Sequence, residues 1–106
     1  MFARNVSIKL KPNTFTEFNQ IFEKEILPTL RKQNGFRDAI AYVSDDNVYV
    51  TSISLWETKE HADEYNTKTF PTVLKSMDKY LDGAPKVRLH TVIAATSLPV
   101  STVAAA

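Results

Sequence analysis

Val48 to Trp56 is the run that most restricts the fold. Tyr49, Thr51, Ile53 and Leu55 share one face of a strand, Val48, Val50, Ser52, Ser54 and Trp56 share the other, and neither set reads as a solvent face. A strand buried on both sides of an antiparallel sheet needs a covering layer on each. A chain of 106 residues supplies one domain and one layer of helices. The second layer is therefore expected from another copy of the same chain.

The surrounding elements follow from periodicity. Val6, Ile8 and Leu10 alternate with Asn5, Ser7, Lys9 and Lys11, the period-two pattern of a first strand. Pro12 interrupts it, and Asn13 or Thr14 is placed to accept from the free N–H groups of a helix whose first turn holds Glu17. Phe15, Phe18, Phe22, Ile26 and Leu30 form the apolar stripe of that helix. Pro28 lies inside the stripe and predicts a kink or break near Glu25 to Leu27, and Asn34 and Gly35 supply the stop. Phe36 to Val43 is the second strand, joined to Val48 to Trp56 through the turn-forming Ser44, Asp45, Asp46 and Asn47.

Thr58 caps a second helical segment with Ala62, Tyr65, Thr69, Val73, Met77 and Tyr80 at helical spacing. Pro71 divides it into pieces of about Lys59 to Lys68 and Phe70 to Leu81, ended by Gly83 and Pro85. Val87, Leu89, Thr91 and Ile93 alternate with Arg88, His90, Val92 and Ala94 as a fourth strand. The order strand, helix, strand, strand, helix, strand is the ferredoxin-like βαββαβ arrangement, an α+β fold with a four-stranded antiparallel sheet. Right-handed crossovers put both helices on one face, which leaves the other open for a homodimer. The domain is expected over residues 1–95, followed by an uncharged tail at 96–106.

Composition removes several classes of function. Thirteen Lys and Arg against twelve Asp and Glu leave a net charge of +1, too little to drive nucleic-acid binding. The absence of Cys removes disulfides, thiolate nucleophiles and Cys-based metal sites, and the two His, His61 and His90, lack ligand spacing, so no metal is expected. Two Gly cannot build a phosphate-cradling fingerprint. No run approaches the roughly 20 apolar residues of a membrane span, and the N-terminal residues alternate rather than forming a signal-like apolar block. A cytoplasmic protein is the expectation.

Two segments carry a resemblance. Ile26-Leu27-Pro28-Thr29-Leu30-Arg31-Lys32-Gln33-Asn34-Gly35-Phe36 is similar to the first-helix exit of the antibiotic biosynthesis monooxygenase family. Leu55-Trp56-Glu57-Thr58-Lys59-Glu60-His61-Ala62 resembles the end of its third strand and the helix cap that follows. The resemblance implies a dimeric α/β barrel, two sheets face to face, with a pocket in each subunit between sheet and helices. It also implies a cofactor-independent monooxygenase acting on an aromatic or polyketide-like molecule; other members degrade heme. Cofactor-free oxygenation makes the substrate its own electron donor, so a phenol or enol must be deprotonated and its anion held near oxygen in a dry pocket.

On that reading Asn5, Trp56 and Tyr65 are the candidate catalytic residues, and Tyr42, His61, Tyr80 and His90 the candidate substrate-binding ones. Asn5 lies near the place of a pocket Asn in heme-degrading relatives, and Tyr65 near that of a Trp. Where those relatives carry an iron-ligating His, this chain has Lys75, which speaks against heme. The competing reading is a non-catalytic dimeric module that holds a small apolar or aromatic ligand or assembles with another subunit, favoured by the lack of a clear acid–base pair.

Overall fold

A computed structural model describes residues 1–96. Strand β1 (Phe2–Lys9) leads to α1 (Phe15–Ile21), a widened helical turn (Phe22–Ile26) and α2 (Leu27–Arg31). Then follow β2 (Phe36–Val43), β3 (Tyr49–Trp56), α3 (Lys59–Lys68), α4 (Phe70–Met77), a tight turn at Asp78–Tyr80 and β4 (Lys86–Thr91). The sheet is antiparallel in the order β2-β3-β1-β4, the ferredoxin-like arrangement expected from the pattern of elements. The tail expected at 96–106 lies, beyond Thr96, outside the described residues.

Three local features differ from, or refine, the sequence reading. The first strand begins at Phe2 rather than Asn5, because Phe2, Arg4, Val6 and Ile8 continue one alternation against Trp56, Ser54, Ser52 and Val50 of β3. An arginine thus occupies an inward position between apolar neighbours. Thr14 does precede α1, but its hydroxyl makes no cap bond and instead donates to the Lys11 carbonyl at 2.7 Å.

The break expected from Pro28 takes the form of the widened turn, in which the Leu27 N–H reaches back to the Phe22 carbonyl. Pro28 then falls in the first turn of α2, where no intrahelical N–H bond is demanded of it. Pro71 acts in the same way at the start of α4, and Thr69 ends one helix and begins the next. Thr58 caps α3 as expected, accepting from the His61 N–H at 3.1 Å.

The register divides the sheet into two unlike faces. Val6, Ile8, Val50 and Trp56 turn towards the helices and meet Phe18, Phe22, Ile26, Leu30, Val73 and Met77 in a single core. The other face carries Asn5, Ser7, Lys9, Tyr49, Thr51, Ile53 and Leu55, with Ile40 and Tyr42 from β2 and Arg88 and His90 from β4. Among the described residues no helix covers it, and Ile40, Tyr42 and Tyr49 stand 62%, 56% and 55% exposed. Among the described residues no helix is long and apolar enough to cross a membrane.

Candidate functional site

The site is built where the end of β3 meets α3. Trp56 is the last residue of its strand, and two residues later Thr58 fixes the start of α3, so Tyr65 comes down on the indole after two helical turns. The two rings lie 5.1 Å apart and tilted, Phe36 meets Trp56 edge-on at 5.7 Å, and Phe70 at the head of α4 extends the aromatic wall 6.2 Å from Tyr65. Trp56 is fully buried, and its indole N–H donates to the Ser54 hydroxyl at 2.8 Å. That bond satisfies the one polar atom of the side chain inside the protein.

Arg4 crosses beneath this wall. Only 4% of the residue is exposed, and its guanidinium carbon lies 4.1 Å from the centre of the Phe70 ring and 5.0 Å from that of Tyr65. One terminal nitrogen donates to Asn66 Oδ1 at 2.8 Å, whereas the buried Nε–H has no hydrogen-bond partner among the described residues. No ion pair joins Arg4 to a carboxylate among the described residues. Burial lowers its pKa from the ordinary value, with the nearby Tyr65 acting in the opposite direction. An arginine nevertheless keeps its proton, so a positive charge is held inside the domain.

Burial pushes the Tyr65 phenol up, and Arg4 offsets this in part. Raised from the ordinary phenol range, Tyr65 is a neutral hydroxyl, able to donate a hydrogen bond but unsuited to removing a proton.

Between helices and sheet Arg4, Tyr65 and Phe70 line a narrow crevice, with Trp56 packed behind Tyr65. Arg4, Ser52, Ser54 and Tyr65 are its polar members, set against an apolar wall that includes Phe22 and Met77. The volume open to the centre of a water molecule is about 20 Å³, which matches one oxygen-sized group rather than a ring. A wider cleft of about 220 Å³ lies between α3 and β4, lined by Arg4, Ala62, Asp63, Asn66, Val87 and Leu89. Arg4 is common to both spaces.

The structure brings Trp56 and Tyr65 together and sets Asn5 on the far side of the sheet. Asn5 lies opposite Ile53 and Arg88, with Ser7 Oγ 3.5 Å from its Oδ1. His90 and Tyr42 are exposed on that same open face, remote from the crevice. His61 stands in the first turn of α3, where its Nδ1 is 2.9 Å from the Thr58 hydroxyl and its ring packs directly over Gly35. Tyr80 is buried, and its backbone carbonyl accepts from the Lys11 N–H at 2.8 Å, so it ties the end of the second helical segment to the end of β1. Lys75 is solvent-exposed on α4. Among the described residues no three His, Cys, Asp or Glu side chains gather as a metal site.

Sequence reasoning missed Arg4, Ser54 and Phe70. The signal for Arg4 was present, since extending the alternation of Val6, Ile8 and Leu10 backwards puts Arg4 on the inward face.

Comparison with known proteins agrees with this architecture. The sequence profile described as antibiotic biosynthesis monooxygenase matches residues 1–69, which run from β1 through α3. No curated protein matches the chain by sequence. Among solved structures, a monooxygenase of Streptomyces coelicolor in complex with nanaomycin D is 22% identical, with a TM-score of 0.69 over 92% of this chain and 91% of that one. A cofactor-independent oxygenase of Streptomyces nogalater is 12% identical, with a TM-score of 0.75 over 92% of this chain and 97% of that one. A Mycobacterium tuberculosis protein is 15% identical, with a TM-score of 0.72 over 91% and 98% respectively. At these identities the structural likeness establishes the fold. The profile match covers most of the chain, and with it the chain belongs to the antibiotic biosynthesis monooxygenase family.

Proposed function

We propose that the protein is a small monooxygenase acting on an aromatic or polyketide-like molecule without a tightly bound cofactor. The observation that carries this reading is the aromatic wall of Trp56, Tyr65 and Phe70 beside a buried cation, on a scaffold shared with oxygenases. A flat, electron-rich substrate lies in the apolar cleft beside that wall with its oxygen towards Arg4, and loss of its phenolic or enolic proton leaves an anion able to reduce oxygen directly. One electron passes to O2, the radical and superoxide combine to a hydroperoxide, and loss of water leaves a ketone. The balance is substrate CH2 plus O2 giving C=O plus H2O. Within this reading Tyr65 lines the crevice, the fully buried Trp56 backs it, and Asn5, Tyr42 and His90 belong to the open sheet face.

The test is oxygen uptake by the purified protein with anthrone- and hydroquinone-type compounds. Uptake approaching one O2 per substrate and above the buffer rate is expected for at least one anthrone. No rate above buffer across the panel overturns the proposal. One observation favours a second reading, a non-catalytic ligand-binding module: neither a carboxylate nor an imidazole lines the crevice to act as a base. Should an activity be found that Trp56→Phe and Tyr65→Phe leave untouched, the crevice is not its site and the second reading gains.

The open sheet face is part of the same proposal. Ile40, Tyr42 and Tyr49 form an exposed apolar strip on the face that the helices leave bare, the composition of a permanent interface rather than a solvent surface. Sedimentation at micromolar concentration should give about twice the chain mass of 12.0 kDa, and Ile40→Glu should lower it towards that of one chain. A wild-type monomer at that concentration contradicts the homodimer.

A further inference from the structure

We infer that the crevice takes its ligand as an oxyanion, with the Arg4 guanidinium as the group that holds it. This rests on the small-molecule site proposed above and names the chemistry of what enters it. A positive charge is rarely buried without a carboxylate beside it, because its hydration is lost without return. Here the guanidinium has aromatic faces and one amide oxygen for company, and its buried Nε–H has no hydrogen-bond partner among the described residues. Aromatic faces offset part of the desolvation of a cation but accept no hydrogen bond in the plane of its fork. The missing partner is thus an acceptor, and the charge favours an anionic one.

The surroundings limit the size and placement of that acceptor. The space on the inner side of Arg4 suits a single oxygen, and Ser54 and Tyr65 line it with hydroxyl groups. The cleft on the outer side has room for more atoms and apolar walls from Ala62, Val87 and Leu89. A ligand with its ring in that cleft and its charged oxygen on the Arg4 guanidinium, which lines both spaces, meets both requirements. Asp63, exposed on the rim of that cleft, together with Tyr65 and Arg4, completes the titratable groups that line the two spaces. The same contact answers the lack of a protein base, since a cation within hydrogen-bond distance makes a phenol or enol a stronger acid and lets water carry the proton away.

Two probes test this in the full-length protein. 4-Nitrophenol, whose ionised form alone absorbs in the visible, should titrate when bound with its midpoint lowered by about one pH unit or more, and Arg4→Gln should abolish the displacement. 2-Naphthoate should bind at least about tenfold more tightly than its neutral isostere 2-naphthamide, and the ratio should fall to near one in Arg4→Gln.

Arg4→Gln needs a folded control, so its thermal unfolding is measured alongside. Independently of any variant, the Arg4 Nε–H nuclear resonance of the wild type should shift with 2-naphthoate and stay in place with 2-naphthamide. An unchanged or raised nitrophenol midpoint together with equal naphthoate and naphthamide affinities, failure of both probes to bind, or an Nε–H resonance unmoved by the probe that binds overturns the inference. A response to nitrophenol but not to naphthoate assigns the oxyanion to an ionised phenol, and the converse to a carboxylate; either supports the Arg4 site. Oxyanion binding without oxygen uptake sinks the oxygenase reading alone, while uptake of oxygen without discrimination between the probe pairs sinks the Arg4 inference alone.

Discussion

Gly35→Ala is expected to cost about 3 kcal/mol, from a left-handed backbone of about 1–2 kcal/mol and an overpacked contact of about 1–3 kcal/mol. Gly35 has a φ of +76°, which side chains with a Cβ rarely adopt, and a Cβ built there would stand 2.3 Å from the His61 ring. The ring has little freedom to retreat. The backbone N–H of His61 donates to the Thr58 hydroxyl at 3.1 Å and the ring Nδ1 stands 2.9 Å from the same oxygen, so moving the ring disturbs the cap of α3. The Gly35 carbonyl also accepts from the Glu57 N–H at 2.8 Å, which joins the start of β2 to the end of β3.

In a domain this small each kcal/mol moves the melting temperature by about 4–8 °C, so a fall of roughly 12–24 °C is expected in calorimetry. The double variant Gly35→Ala, His61→Ala removes the collision but not the backbone strain, and should recover about half the loss. A double variant no more stable than the single one would show that His61 is not what excludes a side chain at Gly35.

Trp56→Ala should be the most damaging change in the core, at about 3–5 kcal/mol. The indole is completely buried, touches Phe36 and Tyr65 through its faces and edge, and donates to Ser54. Its removal leaves a cavity at the junction of sheet and α3 and frees Tyr65 from the position the proposed site requires. Trp56→Phe keeps most of the apolar volume and loses the hydrogen bond, with an expected cost of about 1–2 kcal/mol. Urea unfolding followed by far-UV circular dichroism checks both; fluorescence does not serve, because Trp56 is the single tryptophan of the chain. A cost below 1 kcal/mol for Trp56→Ala would mean that the neighbouring side chains collapse into the space, and the aromatic wall would not be the rigid surface described here.

The architecture was legible because it is written in periodicity. The alternation of Val6, Ile8 and Leu10, the stripe of Phe18, Phe22, Ile26 and Leu30, and the positions of Pro28, Pro71 and Gly35 each report a local preference that the tertiary structure honours. The exact form of the break before Pro28 was not legible. A widened turn and a simple kink answer the same missing N–H, and the choice depends on how Phe22 and Ile26 both reach the core.

The candidate site was readable only in part. Trp56 and Tyr65 stood out as aromatic residues at the end of a strand and within a helix, and helical geometry stacks them. Asn5 was assigned from resemblance, but strand parity puts it on the face opposite Arg4 and Trp56. Parity also hides Arg4. A charged residue near a chain terminus reads as solvated, and only the partners supplied by distant Tyr65, Asn66 and Phe70 reveal that it is enclosed.

The sheet order has a consequence for how the chain is made. β1 leaves the ribosome before both of its neighbours, for it is a central strand flanked by β3, ending at Trp56, and β4, ending at Thr91. Neither edge of β1 can be paired until β3 has been synthesised, and the second waits for β4. Meanwhile the nascent chain carries an apolar strand with two open edges, the kind of segment that recruits other strands. Lys9 and Lys11 at its end and Arg4 within it then act as charges that discourage association during synthesis, before Arg4 is enclosed by α3 and α4.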